Sequence, residues 1–191
     1  MRCVVVAGMS SMTHYFWVAS DDPGALPDPE ALARQATSRM NMSAIDIGSY
    51  PHTTEQSPES IGIIGWNVWM WVSDASAETF GPITRSASAG GYTVTATAQV
   101  TEVVWDMGNG DTVTCGKGTK YTGMGTTDIK SPTCGYRYTD DGDFQISATT
   151  HWEVNWSGVG ESGTIEMELT TPPEQVTVAE IQVLNVPVEQ D

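Results

Sequence analysis

Residues 144–156 read FQISATTHWEVNW. Phe144, Ile146, Ala148, Thr150, Trp152, Val154 and Trp156 take one side of an extended chain, while Gln145, Ser147, Thr149, His151, Glu153 and Asn155 take the other. An unbroken period of two marks a strand with one oily and one wet face; a helix would repeat its apolar positions every 3.6 residues. Just beyond, TIEMEL (164–169) sets Ile165, Met167 and Leu169 against glutamates, with SGVGESG (157–163) as the hairpin loop between. Upstream, YTVTATAQV (92–100) alternates Val94, Ala96, Ala98 and Val100 inward with threonines outward.

Further out the pattern stays extended. IGIIGWNVWMWVSD (61–74) is apolar on both faces, with Trp66, Val68 and Met70 on one and Trp69 and Trp71 on the other, as in a central strand. QVTVAEIQVLNV (175–186) changes face near Ala179, which predicts a bulge there. At the start, CVVVA (3–7) and THYFWVA (13–19) read as two strands joined by GMSSM. PDPEALARQATSRMNM (27–42) gives a helix over 29–41, capped by Asp28 with Pro29 in its first position. Its stripe is Ala31, Leu32, Ala36 and Met40, with Arg34 and Arg39 in later turns. Segment 43–60 reads as irregular. The fold expected is mostly β: an antiparallel sandwich over 61–191, with the strand pair, linker and helix of 1–60 packed on it.

Composition narrows the partners. Eight Lys and Arg face 24 Asp and Glu, a formal net charge of −16. Nucleic acid is an unsuitable partner, because phosphate binding needs clustered cations and these are scattered. Anionic lipid surfaces are disfavoured for the same reason. No apolar run approaches the ~18 residues of a membrane helix, so no membrane insertion is expected. The opening MRCVVVAGMSSM has too short an apolar run for an export signal.

Three cysteines, Cys3, Cys115 and Cys134, form no CxxC, and none lies at ligand spacing from a histidine. Cys115 and Cys134 bracket a polar, glycine-rich loop. A bridge would close it and add about 3 kcal/mol by chain entropy; the alternative is two buried thiols in a cytosolic protein. A polar loop is a poor place to bury thiols, which favours the bridge. Cys3 is left over and implies a mate outside this stretch of chain.

TEVVWDMGNGDTVTC (101–115) raises three chemistries. A phosphate loop fails: Gly110 and Gly116 are one residue too far apart, and Gly118 stands where Ser or Thr belongs. A calcium loop also fails on spacing, although Asp106 and Asp111, with Asp140, Asp141 and Asp143 of TDDGDF (139–144), would make a weak site if their turns converged. What remains is a turn. No cofactor is implied.

Here a resemblance enters. VVWDMGNGDTV (103–113) and CGYRYTDDGDFQISATT (134–150) resemble the polycystic-kidney-disease-type (PKD) module, an immunoglobulin-like sandwich. Trp105, Asp106, Gly108 and Gly110 match its first half; Tyr138, Gly142, Phe144 and Ile146 match its second. Met107 stands for Phe, Asn109 for Asp, and 116–133 is an insertion. More widely, PDPEALARQATSRM (27–40), SASAGGYTVTATA (86–98) and VAEIQVLN (178–185) resemble secreted actinobacterial proteins of unassigned role. That resemblance implies an export signal upstream and a mate for Cys3 there, and it brings no catalytic residues.

For catalysis, His14, His52 and His151 are the histidines available, and no G-x-S-x-G elbow surrounds a serine. His151 reads as a solvent-facing strand residue, and nothing singles out two carboxylates for a glycosidase. Seven tryptophans raise the alternative of sugar stacking on Trp69 and Trp71, against burial of that pair beneath the helix. The function expected is a non-catalytic extracellular or cell-surface module that binds a protein or envelope component. A carbohydrate-binding module is the alternative, a hydrolase the weaker one, and pairing at a sheet edge a further route to partners.

Overall fold

The computed structural model describes residues 2–7, 13–18, 27–123 and 128–182. Strands β1 (Arg2–Ala7) and β2 (Thr13–Val18) pair antiparallel as a two-stranded sheet, as expected. Helix α1 (Pro29–Ser38) is followed by β3 (Asp46–Tyr50), β4 (Gly62–Ile63), β5 (Val68–Ser73), β6 (Ile83–Ala89) and β7 (Tyr92–Asp106). Then come β8 (Thr112–Cys115), β9 (Gly135–Tyr136), β10 (Gly142–Gly158), β11 (Glu161–Thr170) and β12 (Glu174–Ala179). The mostly-β class read from the sequence holds: among the described residues there is one helix, and the strands are largely antiparallel.

The alternating stretch 144–156 lies inside β10, and its inward set from Ile146 to Trp156 is buried. β10 and β7 pair antiparallel and form the spine of a seven-stranded sheet. Each spine strand is long enough to take two partners along its other side. β12 pairs residues 142–146 of β10 and β11 pairs 149–158; β6 pairs 92–98 of β7 and β8 pairs 103–106. A smaller antiparallel sheet, in the order β3-β5-β9, completes the layers.

The two ends of the spine are covered differently. α1 lies across β6, β7 and β10, where Val94, Ala96 and Ala98 leave room for a helix. At the other end Val103, Trp105, Met107 and Ile146 join Ile47, Val68, Met70 and Val72 of the small sheet in one buried cluster. Between the ends sits a bulge. His151 pairs with Glu102 but Trp152 with Val100, so Thr101 is the extra residue of β7. It resets the parity: even residues 94–100 point inward before it, odd residues 103–107 after it. Side chains can therefore face the core along all of β7.

Several expectations need correction. The helix ends at Ser38, and its buried stripe is Leu32, Ala33, Ala36 and Thr37, with Met40 buried just beyond its end; Ala31 is exposed. Asp28 does cap it, accepting the Glu30 amide at 3.0 Å. The loop after β10 shrinks to Val159 and Gly160, both at positive φ, because β10 and β11 pair as far as Gly158 and Glu161. Residues 46–50 are β3, paired with β5, so the sandwich draws on chain before residue 61. β12 ends at Ala179; the bulge lies on β7, and 183–191 fall outside the described residues. So do the GMSSM turn, residues 19–26 with most of the linker SDDPGALPDP (20–29), and the side chain of Cys3.

Cys115 and Cys134 are bridged, with Cα atoms 5.6 Å apart. The bridge does more than close a loop. Cys115 ends β8 of the large sheet, while the Cys134 carbonyl accepts the Met70 amide of the small sheet, so the bond ties the two layers together.

Candidate functional site

Three places carry the residues from which function could be built. The first is the outer face of the small sheet. Trp69 and Trp71 of β5 point there opposite Tyr50 and Gly48 of β3. Gly48 has no side chain because the Trp71 indole occupies that space. Gly118 of the cysteine-bounded insertion bridges to the Trp71 main chain, and Trp71 is 5% exposed. Tyr121 stacks on Tyr50 at 4.1 Å and meets Trp69 edge-on at 5.2 Å. The Trp69 indole N–H donates to the Ile129 carbonyl at 2.6 Å.

The cysteine-bounded insertion thus packs on Trp69 and pairs with the main chain of Trp71, while the helix expected there lies on β6, β7 and β10 instead. Arg137 anchors its far end, donating to Asp128 at 2.9 Å and to Asn67 and the Gly65 carbonyl. The Asn67 amide, with help from Arg137, holds the Asp128 carboxyl below its usual range.

The second place is the pair of acidic turns. Gly108 and Gly110 sit at φ of 75° and 95°, and Asp106 accepts the Gly108 amide at 2.8 Å. A Cβ on Gly108 would lie 2.6 Å from the Gln145 amide nitrogen, so glycine is needed for both angle and space. The turns flank Tyr136, whose hydroxyl donates to Asp111 and accepts from Asn109. Asp140 accepts from Thr139, Asp143 from Thr177, and Asp141 is exposed. Among the described residues no group of three or more acids, histidines or cysteines could hold a metal ion. Asp106, Asp111, Asp140 and Asp143 each accept from a neighbouring amide or hydroxyl instead.

Tyr138 stands behind this corner. It is 1% exposed, stacks on Phe144 at 4.3 Å and donates its hydroxyl to the Met107 carbonyl at 2.8 Å. Burial pushes its phenol well above the ordinary tyrosine range, with Tyr136 and Asp106 adding to the rise.

The third place was not singled out by sequence reading. On the open face of the large sheet, at the bulge, a groove of about 570 Å³ is lined by Thr101, Glu102, His151, Glu153, Glu166 and Glu168. The register explains it: His151 lies between Glu102 on β7 and Glu168 on β11, and Glu153 lies between Gln99 and Glu166 in the next row. His151 Nδ1 is 3.3 Å from Glu168, and the Thr101 hydroxyl donates to the His151 carbonyl at 3.1 Å. No sequence motif could reveal this, since the acids come from three strands and meet only through pairing and one bulge.

An imidazole beside carboxylates can move protons. Here the one hydroxyl in the groove is committed to the backbone, and the sheet face lies open to water. What the groove offers without further machinery is negative charge. Comparison with models of protein families, with curated proteins and with solved structures finds no match for this chain.

Proposed function

We propose that the protein is a non-catalytic structural or interaction module that works outside the cytoplasm, at a cell surface or in the medium. The observation that carries this reading is the Cys115–Cys134 bridge between the two sheets, since stable disulfides belong to oxidising compartments. The roles of the PKD-like positions add support: Trp105 is fully buried, Tyr138 ties strand to turn, and Gly108 and Gly110 make the reversal. Against the sugar-stacking alternative stand the burial of Trp71 over Gly48 and the engagement of the Trp69 N–H and ring edge by Ile129 and Tyr121.

The test is alkylation of the protein as its native cells deliver it, without reductant, followed by peptide mass spectrometry. A bridged 115–134 pair is expected. Alkylated thiols at both positions would overturn the extracellular reading.

A further inference from the structure

The large sheet has two long outer strands, and the protein treats them differently. Along β6, Arg39 donates to the Ser86 carbonyl at 3.1 Å and Arg85 to the Thr84 carbonyl at 2.9 Å. Guanidinium groups on main-chain acceptors guard an edge against another strand. β3 of the small sheet has a similar guard, the Gln56 side chain on the Ile47 carbonyl. β11 has none. Its one strand partner is β10, and no other main-chain bond reaches residues 161–170 among the described residues.

The register says which groups stand free. Thr171 donates its amide to Ala148, so by antiparallel alternation Leu169, Met167, Ile165, Gly163 and Glu161 exchange bonds with β10. Ser162, Thr164, Glu166, Glu168 and Thr170 then turn their amides and carbonyls outward. Side-chain contacts agree: Thr149–Thr170, His151–Glu168 and Asn155–Thr164 meet at the non-hydrogen-bonded positions, where side chains approach most closely.

We infer that β11 is a docking edge for a partner strand that alternates basic and apolar residues. The reading rests on the protein being an interaction module and names the partner's chemistry. A strand laid against β11 would put alternate side chains beside Glu166 and Glu168 on the open face. Glu102 and Glu153 stand behind them, and the groove rows contain no Lys or Arg. Cations at those positions are cross-strand partners for the glutamates; any other charge is repelled. Its remaining side chains would meet the half-buried Ile165, Met167 and Leu169 on the inner face. A second copy is the wrong occupant. Antiparallel β11–β11 pairing sets glutamates against glutamates or their near neighbours, and each chain carries a net charge of −16.

The probe is a fluorescent eight-residue peptide alternating Lys with Val, titrated into the whole protein and followed by anisotropy. Saturable binding is expected, with new amide protection at Thr164, Glu166 and Glu168. Alternate N-methylation of the peptide backbone should abolish it, because charge remains but pairing cannot form. E166K/E168K should weaken it about tenfold or more and transfer preference to a Glu–Val peptide. Glu166→Pro should also remove binding, and proline is tolerated at an edge whose amide has no internal partner; if that variant fails to fold, the N-methylated peptide decides alone. Equal binding of the N-methylated or a scrambled peptide would reduce the edge to a charge effect and overturn the inference. So would no binding at all, or a dimer that E166K/E168K dissolves. A failure here with the 115–134 bridge intact in native material refutes the docking edge alone; free thiols there refute the extracellular module independently.

Discussion

Gly108 and Tyr138 carry the corner where β7 reverses, and each makes its own demand. Alanine at 108 would hold a side chain at φ 75°, costing about 1–2 kcal/mol, and would press its Cβ on the backbone of Gln145. Gly108→Ala should lower unfolding free energy by about 2–4 kcal/mol, read from urea melts. Tyr138→Phe should cost about 1–3 kcal/mol, since the buried Met107 carbonyl loses its donor. The phenol adds a pH signature. Its folded pKa is raised, so its stabilisation is complete below the ordinary value of 10.0 and fades as pH climbs above it. The gap in stability between wild type and Tyr138→Phe should therefore hold up to about pH 10 and narrow as pH rises further. Some alkaline slope should persist in the variant, because burial also raises the phenol of Tyr136.

Strands tell a similar story one step up. β10 was legible because its alternation never breaks, and the inward set of β7 up to Val100 was legible for the same reason. The second half of β7 was not, because Thr101 changes the parity and single-chain periodicity cannot anticipate an inserted residue. Deleting Thr101 should therefore leave a regular strand, with Val94–Val100 and Val103–Met107 both still inward, and keep the protein folded; deleting Thr101 and Glu102 together should unfold it or nearly so, by turning one of the two sets toward water, and circular dichroism melts separate the two. β3 escaped notice because Gly48 and Ser49 break its apolar pattern; Gly48 is there to receive the Trp71 ring. The cover of the tryptophans was misassigned to the helix, since a polar insertion gives no sign of which face it packs on. Replacing both Cys115 and Cys134 by Ser should cost about 3 kcal/mol. It should also shift tryptophan emission to the red, as the loop packed on Trp69 and paired with Trp71 loosens.

One core cluster runs from Leu32 of the helix through both spine strands to Val178 of β12, so the molecule should unfold as a single unit despite its two coverings. The result is a large sheet stapled to a second layer, with one guarded edge and one bare one. Residue-resolved hydrogen exchange of the native protein tests this most directly. The account predicts that hydrogen-bonded amides of 94–106 and 144–156 exchange through one common opening of the same free energy, while those of Ser162, Thr164, Glu166, Glu168 and Thr170 exchange freely. Two distinct opening energies on either side of Thr101, or slow exchange at those five β11 positions, would contradict it.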